Sequence, residues 1–228
     1  MPDSTTPRLR SALADALPTP TPPGALSQAG VQVAEWPNVG CLVVRGDARD
    51  PAFLAAVKEA GGVELPLQPS TLRSGRQGAV AMWMSPDEWW LLVPRASRDA
   101  MEGALRRQLA GLHAQVVDNS GGIALLRLAG VHHVRLLRHL TAYDTSRLAV
   151  GRCVCTVFPK ASVTVARGDD DGVMLLFRRS FAGWVWQLIE RSARPYGLAV
   201  CTPAQLPAPL FAPLLAERVR PVLTGVFQ

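Results

Sequence analysis

Short apolar runs and amphipathic stretches alternate along this chain, and they do so twice in the same order. The first apolar run, residues 41–44 closed by Gly46, predicts a strand. Asp50 followed by Pro51 then supplies an N-cap and a first helical residue of fixed φ, which predicts a helix ending at Gly61. A loop rich in Pro, Ser and Gly (66–78) leads into two strand-like runs, 79–84 and 88–93. Ser85, Pro86 and Asp87 join them with turn chemistry, so the pair reads as a hairpin. Ser97 is placed to cap a helix whose apolar positions Met101, Leu105 and Leu109 recur every four residues, with Gly111 as its stop.

The second round opens with one extra strand, 114–117, and then repeats the order: strand 123–128, Gly130, helix 131–140, hairpin strands 153–157 and 162–167, a turn at 169–172, strand 173–178 and helix 182–193, broken by Pro195. Leu42, Val44, Gly46 and Phe53 are answered by Leu126, Leu128, Gly130 and Leu137. Asp87, Leu91, Leu92 and Arg95 are answered by Asp171, Leu175, Leu176 and Arg179, at the same offset of 84 residues. One offset shared by two separated blocks marks a duplicated folding unit. The fold class is therefore α+β, a duplicated β-α-β-β-α unit with an additional strand in the second copy.

The ends differ from this middle. Pro18, Pro20, Pro22 and Pro23 forbid a regular element, so residues 1–30 read as a flexible arm, and 31–202 as the duplicated domain with halves at about 40–112 and 114–197. Beyond Pro203 an apolar tail (203–228) is interrupted by Pro207, Pro209, Pro213 and Pro221, which suits docking on its own domain or on a partner through a few anchors.

Of the 228 residues 48% are apolar and only 18% charged, and six tryptophans supply large surfaces that want covering, so a partner subunit is expected. The net charge of +6 comes from arginines spread along the chain, with Lys58 and Lys160 the only lysines. Nucleic-acid binding needs a clustered patch or a recognisable motif, and neither is present. The first ten residues lack the apolar core of a secretory signal, and no apolar run approaches the ~18 residues of a membrane span. With four cysteines, a reducing, cytoplasmic setting without membrane contact is expected.

No residue set is arranged for catalysis. Gly121 and Gly122 precede a strand instead of joining a strand to a helix, so they are a tight turn and not a phosphate cradle. His132, His133 and His139 with Cys153 and Cys155 have the residue types of a zinc site, but a single Cys-Val-Cys lacks the spacing of a knuckle; buried thiols and surface imidazoles are the expected state. Asp169, Asp170 and Asp171 before Gly172 make a solvated turn. No catalytic, cofactor-binding or metal residue is therefore assigned. Trp89 and Trp90, adjacent in a strand, point to opposite faces, and Trp184 and Trp186 lie about 200° apart around the last helix. A partner interface is expected on these four, with Leu210, Phe211, Leu214 and Phe227 as anchors in the tail.

Several of these segments resemble a known family. Ser-Pro-Asp-Glu-Trp-Trp-Leu-Leu (85–92) resembles the Gly-Pro-Asp-Glu-Trp-Leu segment of the gamma subunit of heterotetrameric sarcosine oxidase, with Ser85 in place of Gly. Residues 117–120 and 124–130 are similar to that family's Val-Asp-x-Ser strand and Leu-x-x-Gly turn, and 151–156 and 178–186 to its later segments, so the likeness covers about 30–200. More distantly, the region is similar to the folate-binding half of aminomethyltransferases. That family's hairpin carries an acidic pair, whereas 161–165 here has no carboxylate; the Lys-Gly-Cys-x-Gly-Gln motif of related iron–sulfur repair proteins is also missing at Arg152 and Cys153.

The resemblance implies a bacterial, cytoplasmic assembly with alpha, beta and delta partners that demethylates sarcosine to glycine, releasing formaldehyde or methylene-tetrahydrofolate and hydrogen peroxide. FAD, FMN, NAD, zinc and tetrahydrofolate then belong to the partners, and this chain is a non-catalytic companion. Two alternatives stay open: a stand-alone folate-binding protein, and a subunit of a related N-methyl amino acid dehydrogenase.

Overall fold

The computed structural model describes residues 10–215, which form four layers, two sheets face to face with a helix pair outside each. The elements follow in the order β1 (Val31–Glu35), β2 (Val39–Arg45), α1 (Pro51–Gly61), β3 (Leu72–Ser74), β4 (Val80–Ser85), β5 (Glu88–Pro94), α2 (Arg98–Gln108) and β6 (Gln115–Asp118). The second half continues with β7 (Ile123–Ala129), α3 (His133–Leu140), β8 (Arg152–Phe158), β9 (Ala161–Arg167), β10 (Gly172–Arg178), α4 (Ala182–Ala193) and β11 (Leu198–Cys201). One sheet has the strand order β3-β4-β5-β2-β6 and the other β11-β1-β7-β10-β9-β8.

The repeat is visible in the strand register itself. Leu42 lies opposite Leu91 and Val44 opposite Trp89 in the β2–β5 pair; 84 residues on, Leu126 faces Leu175 and Leu128 faces Val173 in the β7–β10 pair. Period-2 alternation then sorts each strand between two cores. Leu42, Val44, Trp89 and Leu91 meet Phe53, Val57, Met101 and Leu105 of α1 and α2, while Leu126, Leu128 and Leu175 meet Leu136, Leu137, Val185 and Ile189 of α3 and α4. The opposite faces, among them Cys41, Met82 and Leu92 of one sheet and Leu125, Met174 and Leu176 of the other, close on each other as the central core. Strands covered on both faces read as unbroken apolar runs, and β7 is buried along its whole length.

Helix α1 starts as its sequence dictates: the Asp50 carboxylate accepts the Ala52 N–H at 2.9 Å, Pro51 is the first helical residue, and Gly62 closes the end in the left-handed region at φ +64°. Ser97 does not cap α2 with its side chain. It is buried in helical conformation, because a 3₁₀ turn over Arg95–Ser97 feeds directly into the helix.

The repeat unit is longer than β-α-β-β-α. Each copy holds three strands between its helices and a further strand after them; β3, three residues long, lies inside the loop expected at 66–78. The strand expected to open the second copy, β6, hydrogen-bonds β2 and so belongs to the first sheet. Its counterpart after α4 is β11, but β1 lies between β11 and β7, whereas β6 pairs with β2 directly.

Both ends lie on this framework where they are described. Leu13 is fully buried against the α3–α4 side, and Thr21 exchanges hydrogen bonds with Val200. After β11, Leu206, Ala208, Phe211 and Leu214 enter the central core. Prolines keep this stretch from forming a long helix while leaving its apolar side chains free to act as anchors. Among the described residues no helix is long and apolar enough to cross a membrane.

Candidate functional site

Half of the expected interface side chains are used inside the chain. Trp89 is fully buried, with its indole N–H donating to Pro66 O at 2.8 Å and its ring 5.7 Å from that of Phe53. Trp186 is buried under α4, and Phe211 and Leu214 in the central core, so these four present no surface to a partner in this fold. Trp90, Trp184 and Leu210 are half-buried. Phe227 lies outside the described residues.

Trp184 marks a different surface. Its indole N–H donates to Pro159 O at 2.6 Å, and Lys160 Nζ stands 5.3 Å from its ring centre, which places it on the β8–β9 turn. β8 is the last strand of its sheet. Its first residues bond across to residues 70–72, through Cys153 N–H to Ser70 O and Leu72 N–H to Gly151 O; past Cys153 its outer edge has no strand beside it among the described residues. Cys153, Cys155 and Val157 share one face by alternation; the other sheet covers Cys153 but leaves Cys155 exposed and Val157 at 64% exposure. An open strand edge with an apolar side chain standing on it is a template for another chain. The sequence carries the alternation, but where cover by the other sheet ends is settled only by tertiary packing.

The imidazoles and thiols are not gathered. His133 Nδ1 lies 2.7 Å from Gly130 O, His139 Nε2 lies 2.9 Å from the Tyr196 hydroxyl, and Cys153 Sγ faces the carbonyls of Thr71 and Trp83. Among the described residues no three potential metal ligands come together. Burial raises the Cys41 and Cys201 thiols above their usual range and pushes Cys153 up to about 12, holding these three in the unreactive protonated form. The native chain at neutral pH is therefore expected to consume one equivalent of a thiol reagent, at Cys155, and four in urea; a second fast-reacting thiol in the native chain would contradict the burial described.

One charged pair lies where the pattern is apolar. Arg127 on β7 is 1% exposed and faces the central core, where the repeat has Val43; its Nη2 donates to Asp169 Oδ1 at 2.6 Å. Its Nε and Nη1, and Asp169 Oδ2, have no partner among the described residues. The signal for this pair was the charged residue inside an otherwise apolar run. Its partner stood in a turn that reads as solvated, which concealed the pairing.

Comparison with known proteins agrees with this architecture. The family model "Sarcosine oxidase, gamma subunit family" matches residues 45–194, spanning both halves. The sarcosine oxidase subunit gamma of Arthrobacter sp. is 28% identical over 152 residues, 66% of this chain and 72% of that one. Among solved structures, the heterotetrameric sarcosine oxidase from Corynebacterium sp. U-96 contains a chain that superposes with a TM-score of 0.70 at 21% identity, covering 83% of this chain and 97% of that one. Aminomethyltransferase T of the glycine cleavage system from Bartonella henselae gives 0.59 at 13% identity, over 76% of this chain and 48% of that one.

Proposed function

The chain belongs to the sarcosine oxidase gamma subunit family, and from that premise we propose that it is a non-catalytic subunit of a heterotetrameric sarcosine oxidase-type complex. The observation that carries this reading is the family match across 45–194, which takes in all four helices and most of both copies of the repeat. The interior supports it. Side chains with chemical potential are engaged in structure: Cys41, Cys153 and Cys201 are buried, and Asp118 is held below the usual carboxylate range against its partial burial by hydrogen bonds from Ser120 and by Arg98. In this reading FAD, FMN, NAD, zinc and tetrahydrofolate reside in the alpha, beta and delta partners, in the cytoplasm of a bacterium. The oxidative demethylation of sarcosine is their work.

The surface offered to those partners is the free edge of β8 with Val157, together with Trp184 and the half-buried Trp90 and Leu210. Co-expression with the partner subunits should yield one complex containing all four chains. Val157→Asp puts a charge on the exposed apolar position without touching the core, and should weaken association at least tenfold, about 1.4 kcal/mol, as read by pull-down titration. Recovery of a fully assembled partner complex without this chain would reject the proposal.

A second reading, a stand-alone folate-binding protein, is favoured only by the likeness of fold to the aminomethyltransferase. The hairpin at 161–165 presents no carboxylate for a folate amine. Saturable heat on titrating tetrahydrofolate into the isolated chain would favour that reading over the first.

A further inference from the structure

The repeat places one arginine at the same point of each half: Arg95 and Arg179 are each the first residue of the 3₁₀ turn that follows the third strand between the helices. Both line one cavity of about 90 Å³ at the seam between the halves, partly open to solvent, with Arg95 half-buried and Arg179 exposed at it. The opposite strand ends contribute the other walls, Trp36 and Asn38 before β2 and residues 120–121 before β7. Trp36 is 2% exposed, and its indole N–H has no acceptor among the described residues. Asn38 holds a left-handed backbone at φ +58°, unusual outside glycine.

The charges at this cavity are strongly biased. Of its charged lining residues, Arg10 pairs with Asp15, and the single carboxylate, Glu35, accepts the Leu13 N–H. Arg179 Nη2 donates only to the backbone carbonyls of Arg10 and Ser11, at 2.7 and 3.2 Å, and Arg95 has no acidic partner among the described residues. Two guanidinium groups without carboxylates and a buried indole N–H all donate and none accepts, which is the chemistry of an oxyanion site. A cavity of this volume has room for roughly three waters or one compact group, too little for a peptide segment.

We propose that Arg95, Arg179 and the Trp36 indole N–H bind a small oxyanion, a phosphate or carboxylate group, at the seam between the two repeats. The guanidinium groups supply charge and paired N–H donors, and Trp36 supplies the donor now without a partner.

The test is calorimetric titration of the full-length chain with inorganic phosphate and separately with acetate, at constant ionic strength set by chloride. One saturable site per chain is expected for at least one of the two ions, and which one binds identifies the group. Arg95→Gln and Arg179→Gln should each weaken that binding at least tenfold, Trp36→Phe severalfold, and Arg95→Lys less than Arg95→Gln; circular dichroism confirms that each variant is folded. Arg95 is only partly buried and is not a core residue, so its substitution tests the site even if Trp36→Phe fails to fold. No saturable binding of either ion to the wild-type chain, or unchanged affinity in the folded Arg95→Gln chain, overturns the proposal.

Discussion

Asp169→Ala is expected to destabilise the chain by about 3–5 kcal/mol, because it leaves the Arg127 guanidinium buried without its counter-charge. Arg127 is 1% exposed between two sheets, and its ion pair with Asp169 is its only carboxylate contact among the described residues. Desolvating a charge costs several kcal/mol, and the Asp169 attraction offsets that cost only while both groups are present. The pair is not needed for packing as such, since the first repeat fills the same position with Val43. Arg127→Met combined with Asp169→Ala should therefore recover most of the loss. Equilibrium urea unfolding of the three chains measures this, and a cost below about 1 kcal/mol for Asp169→Ala would mean that Arg127 is solvated.

Phe211→Ala is the second large effect, at about 3–5 kcal/mol. The ring is fully buried in the central core, and a Cβ on Gly168 would stand 2.8 Å from it, so the tail is packed tightly over the β9–β10 turn. Truncation leaves a cavity between two sheets that are each fixed by their own helices and cannot collapse to fill it. Against a typical stability of about 5–15 kcal/mol for a domain, this is a sizeable fraction. Thermal and urea unfolding should both shift. An unchanged midpoint would show that the tail is an appendage and not part of the core.

The offset of 84 residues was legible because it is written in the apolar positions that face the helices, and those positions fix which residues sit opposite each other across β2–β5 and β7–β10. The start of α1 was equally local, since Asp50 and Pro51 act within one turn of their own positions, and the expected end at Gly61 is its last residue, with Gly62 as the cap. Strand β3 escaped because three residues carry no periodicity, and β1 because it follows a Pro-rich stretch and pairs only with strands from the far half of the chain. For β6 the run itself was correctly placed, but nothing in its sequence says which sheet it joins.

The interface residues show the same boundary between local and tertiary information. That Trp89 and Trp90 point to opposite faces follows from strand geometry, yet helices bury Trp89 completely on one side and the second sheet covers Trp90 in part on the other. Aromatic content thus indicated how much surface needed covering and not what covers it. Phe211 and Leu214 answer that for the tail, since the chain folds back to cover its own central layer. The β8 edge stays open past Cys153, and its Val157 is one of several singly exposed apolar side chains, which sequence alone does not distinguish from buried ones.

The central claim, that this chain supports the chemistry of its partners without performing it, is tested most directly by sarcosine-dependent oxygen uptake measured on the purified chain and on the co-expressed complex. The account predicts no uptake and no bound flavin for the chain alone, full uptake for the complex, and loss of uptake in proportion to loss of assembly for the Val157→Asp variant. Turnover by the isolated chain, or full activity from partners that lack it, would contradict the account.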